Sequence, residues 1–258
     1  MLYVGIFVGL VLESWSLPVQ VRTTEYYCSY DDSIHIQWMP HKCIYFVLEL
    51  LTGFPLREGD ILSSGSRSVI TCLGDSCRWP RSVDGFVYVP YIISPIYDDM
   101  DRITVETGML DISSATCVKF VPRTHEANFL NIQSRTGCWS YLGMIGGSQT
   151  VSLQSPGCMW SGVAAHELMH ALGFVHEQSR SDRDHHVSIL WENIIESKRL
   201  KPALIFSQCI QYAFSEDGGP TIIPKPDPYT PIGQRDGPSL TDIHKINILY
   251  NCGRYSSY

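Results

Sequence analysis

Long apolar runs are scarce in this chain. Outside the first dozen residues none approaches the length needed to cross a bilayer, since the stretch from Ile44 to Leu51 is brief and carries Glu49. Positive charge is also sparse: 19 Lys and Arg stand against 26 Asp and Glu, a formal net charge of -7, and no basic cluster forms a stripe. The electrostatic footprint of a phosphate-binding surface is missing, and nucleic acid is excluded as a partner. No Asn-x-Ser/Thr acceptor occurs, so glycosylation gives no handle. No Cys-x-x-Cys pair occurs either; Cys72 and Cys77 are separated by four residues. A thiolate metal site therefore has no starting point, and the nine cysteines read as disulfide partners in an oxidising compartment. Their odd number leaves at least one without a partner inside the chain. Internal repeats and low-complexity tracts are absent.

What is present is a globular composition, 44% hydrophobic and 17% charged over 258 residues, enough for one main core and an N-terminal extension. The opening MLYVGIFVGLVL, followed by Glu13, Ser14 and Ser16, is too short for a span and reads as a secretory signal over 1–20, an uncleaved anchor being the alternative. Residues 21–61 show no sustained period, as in an extended pro-segment, and SSGSRS at 63–68 reads as an exposed, cleavable linker. The expected organisation is therefore signal 1–20, pro-segment 21–67 and folded domain 68–258. The folded part should be soluble, monomeric and without stable membrane association.

Within that domain, Phe86–Ile93 reads as a strand whose Pro90 argues for an edge or a bend. Asp98–Ile112 reads as an amphipathic helix with Met100, Ile103, Val105, Met109 and Leu110 on its apolar positions. Val118–Val121, Ala127–Gln133 and Gln149–Gln154 are short strand candidates. Ser161–Phe174 is the strongest helical segment, with Ser161 as N-cap and Gly173 as stop. The Pro-rich stretch Thr221–Gly233 excludes helix and central sheet, and Ser239–Tyr250 closes the chain with a capped amphipathic helix. The fold class is α+β.

The chemistry concentrates in one place. His166 and His170 lie four apart on a helix and project from one face, so two imidazole nitrogens can reach one ion. Gly173 permits a sharp turn, and His176 swings back as a third ligand. Three histidines leave the fourth zinc position to water, the open arrangement of a catalytic site. Glu167, next to the first ligand, is placed to take a proton from that water and pass it to a leaving nitrogen. Peptide-bond hydrolysis is the reaction these parts suit. The adjacent His185 and His186 read as solvated, and His35, His41, His125 and His244 have no partner at ligand spacing.

With HELMHALGFVHEQSRSDRD (His166–Asp184) on the page, the sequence resembles the astacin family of metzincin metalloendopeptidases. GFVYVPY, CVKFVPR, GCWSYLG, VSLQSPGC, PIGQRDG and INILYNC look like further family segments. The strongest likeness is to fish hatching enzymes and their relatives with an added N-terminal cysteine pair. The resemblance implies a twisted mixed sheet with two helices in an upper half, a zinc cleft, and an irregular lower half with a C-terminal helix. It implies one Zn2+, a protein or peptide substrate, egg-envelope proteins among the candidates, and disulfides Cys117–Cys252, Cys138–Cys158 and Cys72–Cys77, each worth on the order of 2 to 4 kcal/mol. LREGDI (Leu56–Ile61) looks like the pro-segment motif whose Asp, here Asp60, blocks the zinc, and cleavage after about Arg67 would send the new N-terminus near Ser68 toward Glu177. Cys28, Cys43 and Cys209 have no partner in the family scheme.

One segment departs from the family. Between Glu196 and Tyr212 the chain reads SKRLKPALIFSQCIQ, without the Met that the family carries beneath the zinc. An ungapped alignment puts Ser207 at the Met and Cys209 at the family's oxyanion-stabilising Tyr; a gapped one puts Ile210 and Tyr212 there. One oxyanion donor is typically worth about 2.7 to 4 kcal/mol. The alternative reading is therefore a catalytically impaired zinc-binding relative that acts as a peptide- or egg-coat-binding module.

Overall fold

A computed structural model describes residues 19–22, 27–30, 56–57, 59–62, 77–196, 212 and 215–253. The chain divides into two compact units, Met1–Val47 and Leu48–Tyr258. In the first, β1 (Val19–Arg22) and β2 (Tyr27–Tyr30) pair antiparallel, where the sequence pattern gives no strand signal.

The second unit is built on a seven-stranded mixed sheet in the order β3-β4-β8-β9-β7-β5-β6. Its strands are β3 (Leu56–Arg57), β4 (Ile61–Leu62), β5 (Val87–Ile93), β6 (Val118–Pro122), β7 (Phe129–Gln133), β8 (Cys138–Tyr141) and β9 (Ser148–Leu153). β6, β5, β7 and β9 run parallel to one another; β8 returns antiparallel to β9, and β4 lies parallel to β8. Of the edge or bend expected at Pro90, the edge is corrected: β5 is an interior strand, paired on both sides. The proline is tolerated for a local reason. Val87 donates to Cys117 and the Tyr91 carbonyl accepts from Arg123, so odd-numbered residues bond β6. The Pro90 nitrogen faces the other way, and pairing with β7 begins only at Tyr91.

Two helices cover the sheet. α1 (Asp99–Ser113) starts at Asp98, whose side chain accepts from the Asp101 N–H. Val105, Gly108, Met109 and Ile112 form its buried face, whereas Met100, Ile103 and Leu110 are exposed. The contact face is thus narrower than the apolar pattern implies. Gly108 explains the close approach to α2 (Ser161–Ala171): a Cβ there would lie 2.7 Å from the Ser161 carbonyl and 2.9 Å from the Ala164 Cβ. Ser161 is corrected from N-cap to first helical residue; Trp160 occupies the cap without a side-chain bond. That first turn is held from outside instead, since a Cβ on Gly162 would meet the Arg235 carbonyl at 2.0 Å. The core between sheet and helices includes Val87, Val89, Val118, Leu130, Ile132, Val151, Leu153, Leu168 and Ile246.

Below the cleft the chain has little regular structure. Three single 3-10 turns (Glu177–Ser179, Arg183–His185, Trp191–Asn193) precede or flank a two-stranded antiparallel ribbon of β10 (Val187–Ile189) and β11 (Ile222–Pro224). Its own small core is Ile194 and Ile222, flanked by Val187, Ile189, Trp191 and Ile232. α3 (Leu240–Leu249) begins with a capping box, Ser239 and Asp242 satisfying each other's backbone N–H groups. The segment 197–211, with Ser207, Cys209 and Ile210, lies outside the described residues; Tyr212 is exposed.

Two disulfides are seen with both partners among the described residues. Cys117–Cys252 joins the start of β6 to the end of α3, and Cys138–Cys158 joins β8 to the residues before α2. Separations of 135 and 20 residues correspond in the chain-entropy model to about 5 and about 3 kcal/mol. Cys77 is also disulfide-bonded, its partner lying outside the described residues, as does Cys72. Among the described residues no helix is long and apolar enough to cross a membrane.

Candidate metal centre

The geometry begins with how α2 ends. The Phe174 N–H bonds to the Met169 carbonyl (3.0 Å) and the Gly173 N–H to the His170 carbonyl (2.8 Å), the pair of reversed bonds of a Schellman motif. Gly173 supplies the left-handed residue this requires, at φ +104°. The remaining carbonyls of the last turn are taken by side chains: Trp79 Nε1 donates to Ala171 (2.9 Å) and the Tyr250 hydroxyl to Leu172 (2.9 Å). The helix end is therefore rigid, and the turn brings His176 back beside His166 and His170.

The three imidazoles converge through their Nε2 atoms. His166 Nε2 lies 3.0 Å from that of His170 and 3.3 Å from that of His176. Asp60 Oδ2 adds a fourth corner, 3.2 Å from both His166 and His176, and its other oxygen is 3.6 Å from His170. Zinc ligands at about 2.0–2.1 Å on the corners of a tetrahedron lie about 3.3–3.4 Å apart. The observed edges fit that figure. The tautomer points the same way: His170 Nδ1 donates to the Phe174 carbonyl at 2.7 Å, so in the neutral ring Nε2 bears only a lone pair. That lone pair faces His166 Nε2 at 3.0 Å. Asp60, His166, His170 and His176 form the one group of metal-capable side chains found among the described residues.

Burial sets the electrostatics. Asp60 is 1% exposed, which alone raises its carboxyl; the charges of His170 and His176 and hydrogen bonds from His166 and His170 outweigh this and hold it well below the usual range. His166 is lowered to about 4, by burial first and then by His170. It keeps 22% of its side chain open to the cleft, and that contact tempers the shift. Glu167 is 1% exposed, and burial first, then the Asp60 charge, push its carboxyl well above the ordinary carboxylate value. Its Oε2 is buried without a hydrogen-bond partner. An orphaned carboxylate oxygen beside a metal-ligand cluster is a ready acceptor for a proton.

Glu177 stands apart from the cluster. Its carboxylate is half-exposed and ion-paired with Lys245 of α3 and with Arg180 Nη1 at 3.0 Å. Lys245 carries no sequence signal, because its pairing depends on how α3 docks. A cavity of about 220 Å³ runs between the histidines and this pair, lined by Met169, Phe174, Gln234 and Lys245 among others. His185 and His186 are exposed and outside the cluster. His35 and His41 lie outside the described residues.

Comparison with known proteins agrees with this centre. Residues 76–201 match the model of the Astacin peptidase family. High choriolytic enzyme 1 of Oryzias latipes is 44% identical over 211 residues, covering 76% of this chain and 78% of that protein. An astacin-like metalloendopeptidase of Gallus gallus is 43% identical over 217 residues, 78% of this chain and 53% of that protein. The solved structure of high choriolytic enzyme 1, a hatching enzyme zinc-protease from Oryzias latipes, superposes with a TM-score of 0.65 at 42% identity, covering 72% of this chain and all of that one. With three imidazoles and a carboxylate at zinc-ligand spacing, and relatives matched over three quarters of its length, the chain belongs to the astacin family of zinc metalloendopeptidases.

Proposed function

We propose that this protein is a secreted endopeptidase made as a zymogen, with signal 1–20, pro-segment 21–67 and protease domain 68–258, and that egg-envelope proteins are its substrates. The observation that carries the zymogen reading is Asp60 buried among His166, His170 and His176, with Glu167 beside them. A carboxylate at the fourth corner excludes water, so latency has a direct steric cause. When bound, zinc supplies Lewis acidity, lowering the pKa of water to about 7 and polarising the peptide carbonyl.

The chain's own groups do the rest. His166, His170 and His176 would hold the zinc through their Nε2 atoms. Glu167 takes the proton of the attacking water on its unpartnered oxygen and hands it to the departing amide nitrogen. After cleavage near Arg67 the new N-terminus, near Ser68, reaches Glu177, whose carboxylate Lys245 and Arg180 hold in the uncut chain. A Cys72–Cys77 bridge would anchor that new terminus close to the site. The substrate reading rests on relatives named as choriolytic and hatching enzymes.

The test is digestion by the zinc-loaded chain after limited proteolysis of the pro-segment. Casein and isolated fish egg envelopes should both be degraded. Casein cleavage with intact envelopes would remove the substrate assignment, and no cleavage of either by a protein holding one zinc would remove the peptidase reading.

A further inference from the structure

The outward face of α1 takes no part in packing the core. Val105, Gly108, Met109 and Ile112 are buried against the sheet and α2, yet Met100, Ile103 and Leu110 stand 68%, 54% and 63% exposed on the opposite side. Thr107 completes the row. Its hydroxyl donates to the Ile103 carbonyl at 2.7 Å, which leaves the methyl to face outward with its neighbours. Spacings of three, four and three residues place 100, 103, 107 and 110 at the a and d positions of successive heptads, the seam along which one helix packs on another. Ile96, 73% exposed in the turn before the helix, adds to an apolar patch on the order of several hundred Å², the size that marks a binding surface on a soluble protein.

The rim of the seam decides what can sit on it. On one side it carries Asp99 and Glu106, both exposed. On the other side stand Thr104, whose hydroxyl donates to the Met100 carbonyl at 2.9 Å, and Asp111, one oxygen of which is buried beside Gly237. Arg102, the single base of the helix, lies beyond the rim. The rim is acidic and has no cation in it. A second copy of this chain is a poor occupant, because an antiparallel pair of helices sets Asp99 against Glu106 of the other copy and a parallel pair sets Glu106 against Asp111. The same carboxylates repel an anionic lipid surface. What fits is a helix with leucine-like residues at the same spacing and Lys or Arg beside them.

We propose that the outer face of α1 is a docking surface for an amphipathic helix of another polypeptide, whose apolar side chains seat between Met100, Ile103, Thr107 and Leu110 and whose Lys or Arg residues pair with Asp99 and Glu106. Gly108 sets α1 directly against α2, so the platform is rigid. None of its residues lines the cavity at the histidines. A bound helix therefore leaves that cavity open, and docking is separable from hydrolysis.

The experiment uses the full zinc-loaded chain and a labelled synthetic helix of about 18 residues, with leucines at a and d and lysines at e and g, followed by fluorescence anisotropy. A twin with glutamates at e and g is expected to bind at least about tenfold more weakly. Ile103→Gln combined with Leu110→Gln should weaken the lysine helix by about tenfold or more, and Asp99→Lys combined with Glu106→Lys should reverse the preference in favour of the glutamate twin. All four positions are exposed, so each variant is required to keep the circular dichroism and Tm of the parent. Ile248→Gln, at an exposed position of α3, should bind as the parent does. Equal binding of the two helices, or no loss in the Ile103 and Leu110 variant, overturns the surface. Binding that appears only after the pro-segment is cut away also overturns it, since the face would then belong to a segment of this chain. Sedimentation of the chain as a dimer that the glutamine variant dissolves, or adsorption to phosphatidylserine vesicles that it abolishes, overturns it in favour of a second copy or a lipid surface.

Discussion

Two parts of the molecule meet at the histidines and are held there in opposite ways. α2 is fixed on every side: α1 presses against it through Gly108, the 235–237 turn through Gly162, and its last carbonyls are bonded by Trp79 and Tyr250. The 56–62 segment reaches the same cluster on two-residue strands, anchored among the described residues by Leu56, Ile61 and Leu62, one carboxylate and its short pairing with β8. The permanent ligands are overdetermined and the temporary one is not. A metal site that must be opened by removing one group, without disturbing the others, requires that asymmetry.

The sharpest way to probe the α2 side is to change chemistry while leaving the frame alone. Glu167→Gln keeps the volume and removes the proton acceptor, so the proteolytically activated enzyme should lose about 10²- to 10⁴-fold in kcat/KM with zinc content unchanged. Loss of zinc along with activity would mean that Glu167 helps to hold the frame and would blur the comparison. On the other side, Asp60→Ala leaves the three imidazoles without their carboxylate, and the uncut chain should gain activity by roughly tenfold or more against a small peptide substrate. Casein would be the poorer readout, because the leucines still cover β8.

Acid should also separate the two sides, in a definite order. Asp60 titrates well below 3.8 in the folded chain, so its contribution to docking is complete above that value and fades only as the pH falls through the lowered one. His166 has moved from 6.5 to about 4, so across that window the unfolded chain binds the extra proton and stability drops as the pH falls. Without a cation between them, the imidazole therefore takes up its proton before the carboxylate does. Stepwise acidification of the zymogen should release zinc, read with a chromogenic chelator, with no preceding burst of activity. A burst at a pH where zinc is still bound would reverse the order.

How much of this was legible in the sequence follows the same division. His166, Glu167, His170 and the turn at Gly173 are separated by single helical turns, so spacing alone brings them together. Asp60 was legible only through the resemblance to a family motif, since its hydrogen-bond partner His166 lies 106 residues away. The cover that Leu62 places on Trp139 had no local signal at all, because a β4–β8 pairing is set by the closed sheet. Ser161 misled for a related reason: its cap-forming side chain is genuine, but the 235–237 turn fixes where the helix begins. Met100, Ile103 and Leu110 read as core and lie exposed, because α1 meets its neighbours along one narrow face around a glycine.

The smallest test bears on the claim that α2 is held by many modest contacts. The Tyr250 hydroxyl is buried, donates to the Leu172 carbonyl, and sits next to the disulfide that ends α3. Tyr250→Phe removes the donor and leaves the ring, so the packing stays and one helix-end carbonyl loses its partner. The cost should be about 1 kcal/mol, or a few degrees in Tm. If the comparison is right, zinc affinity should hardly change, because the Schellman turn and the Trp79 bond still fix the last turn of the helix. A drop in zinc affinity of about tenfold or more, measured by competition with a chelator, would show that the histidines depend on a single tether and that α2 is no better secured than the segment it outlasts.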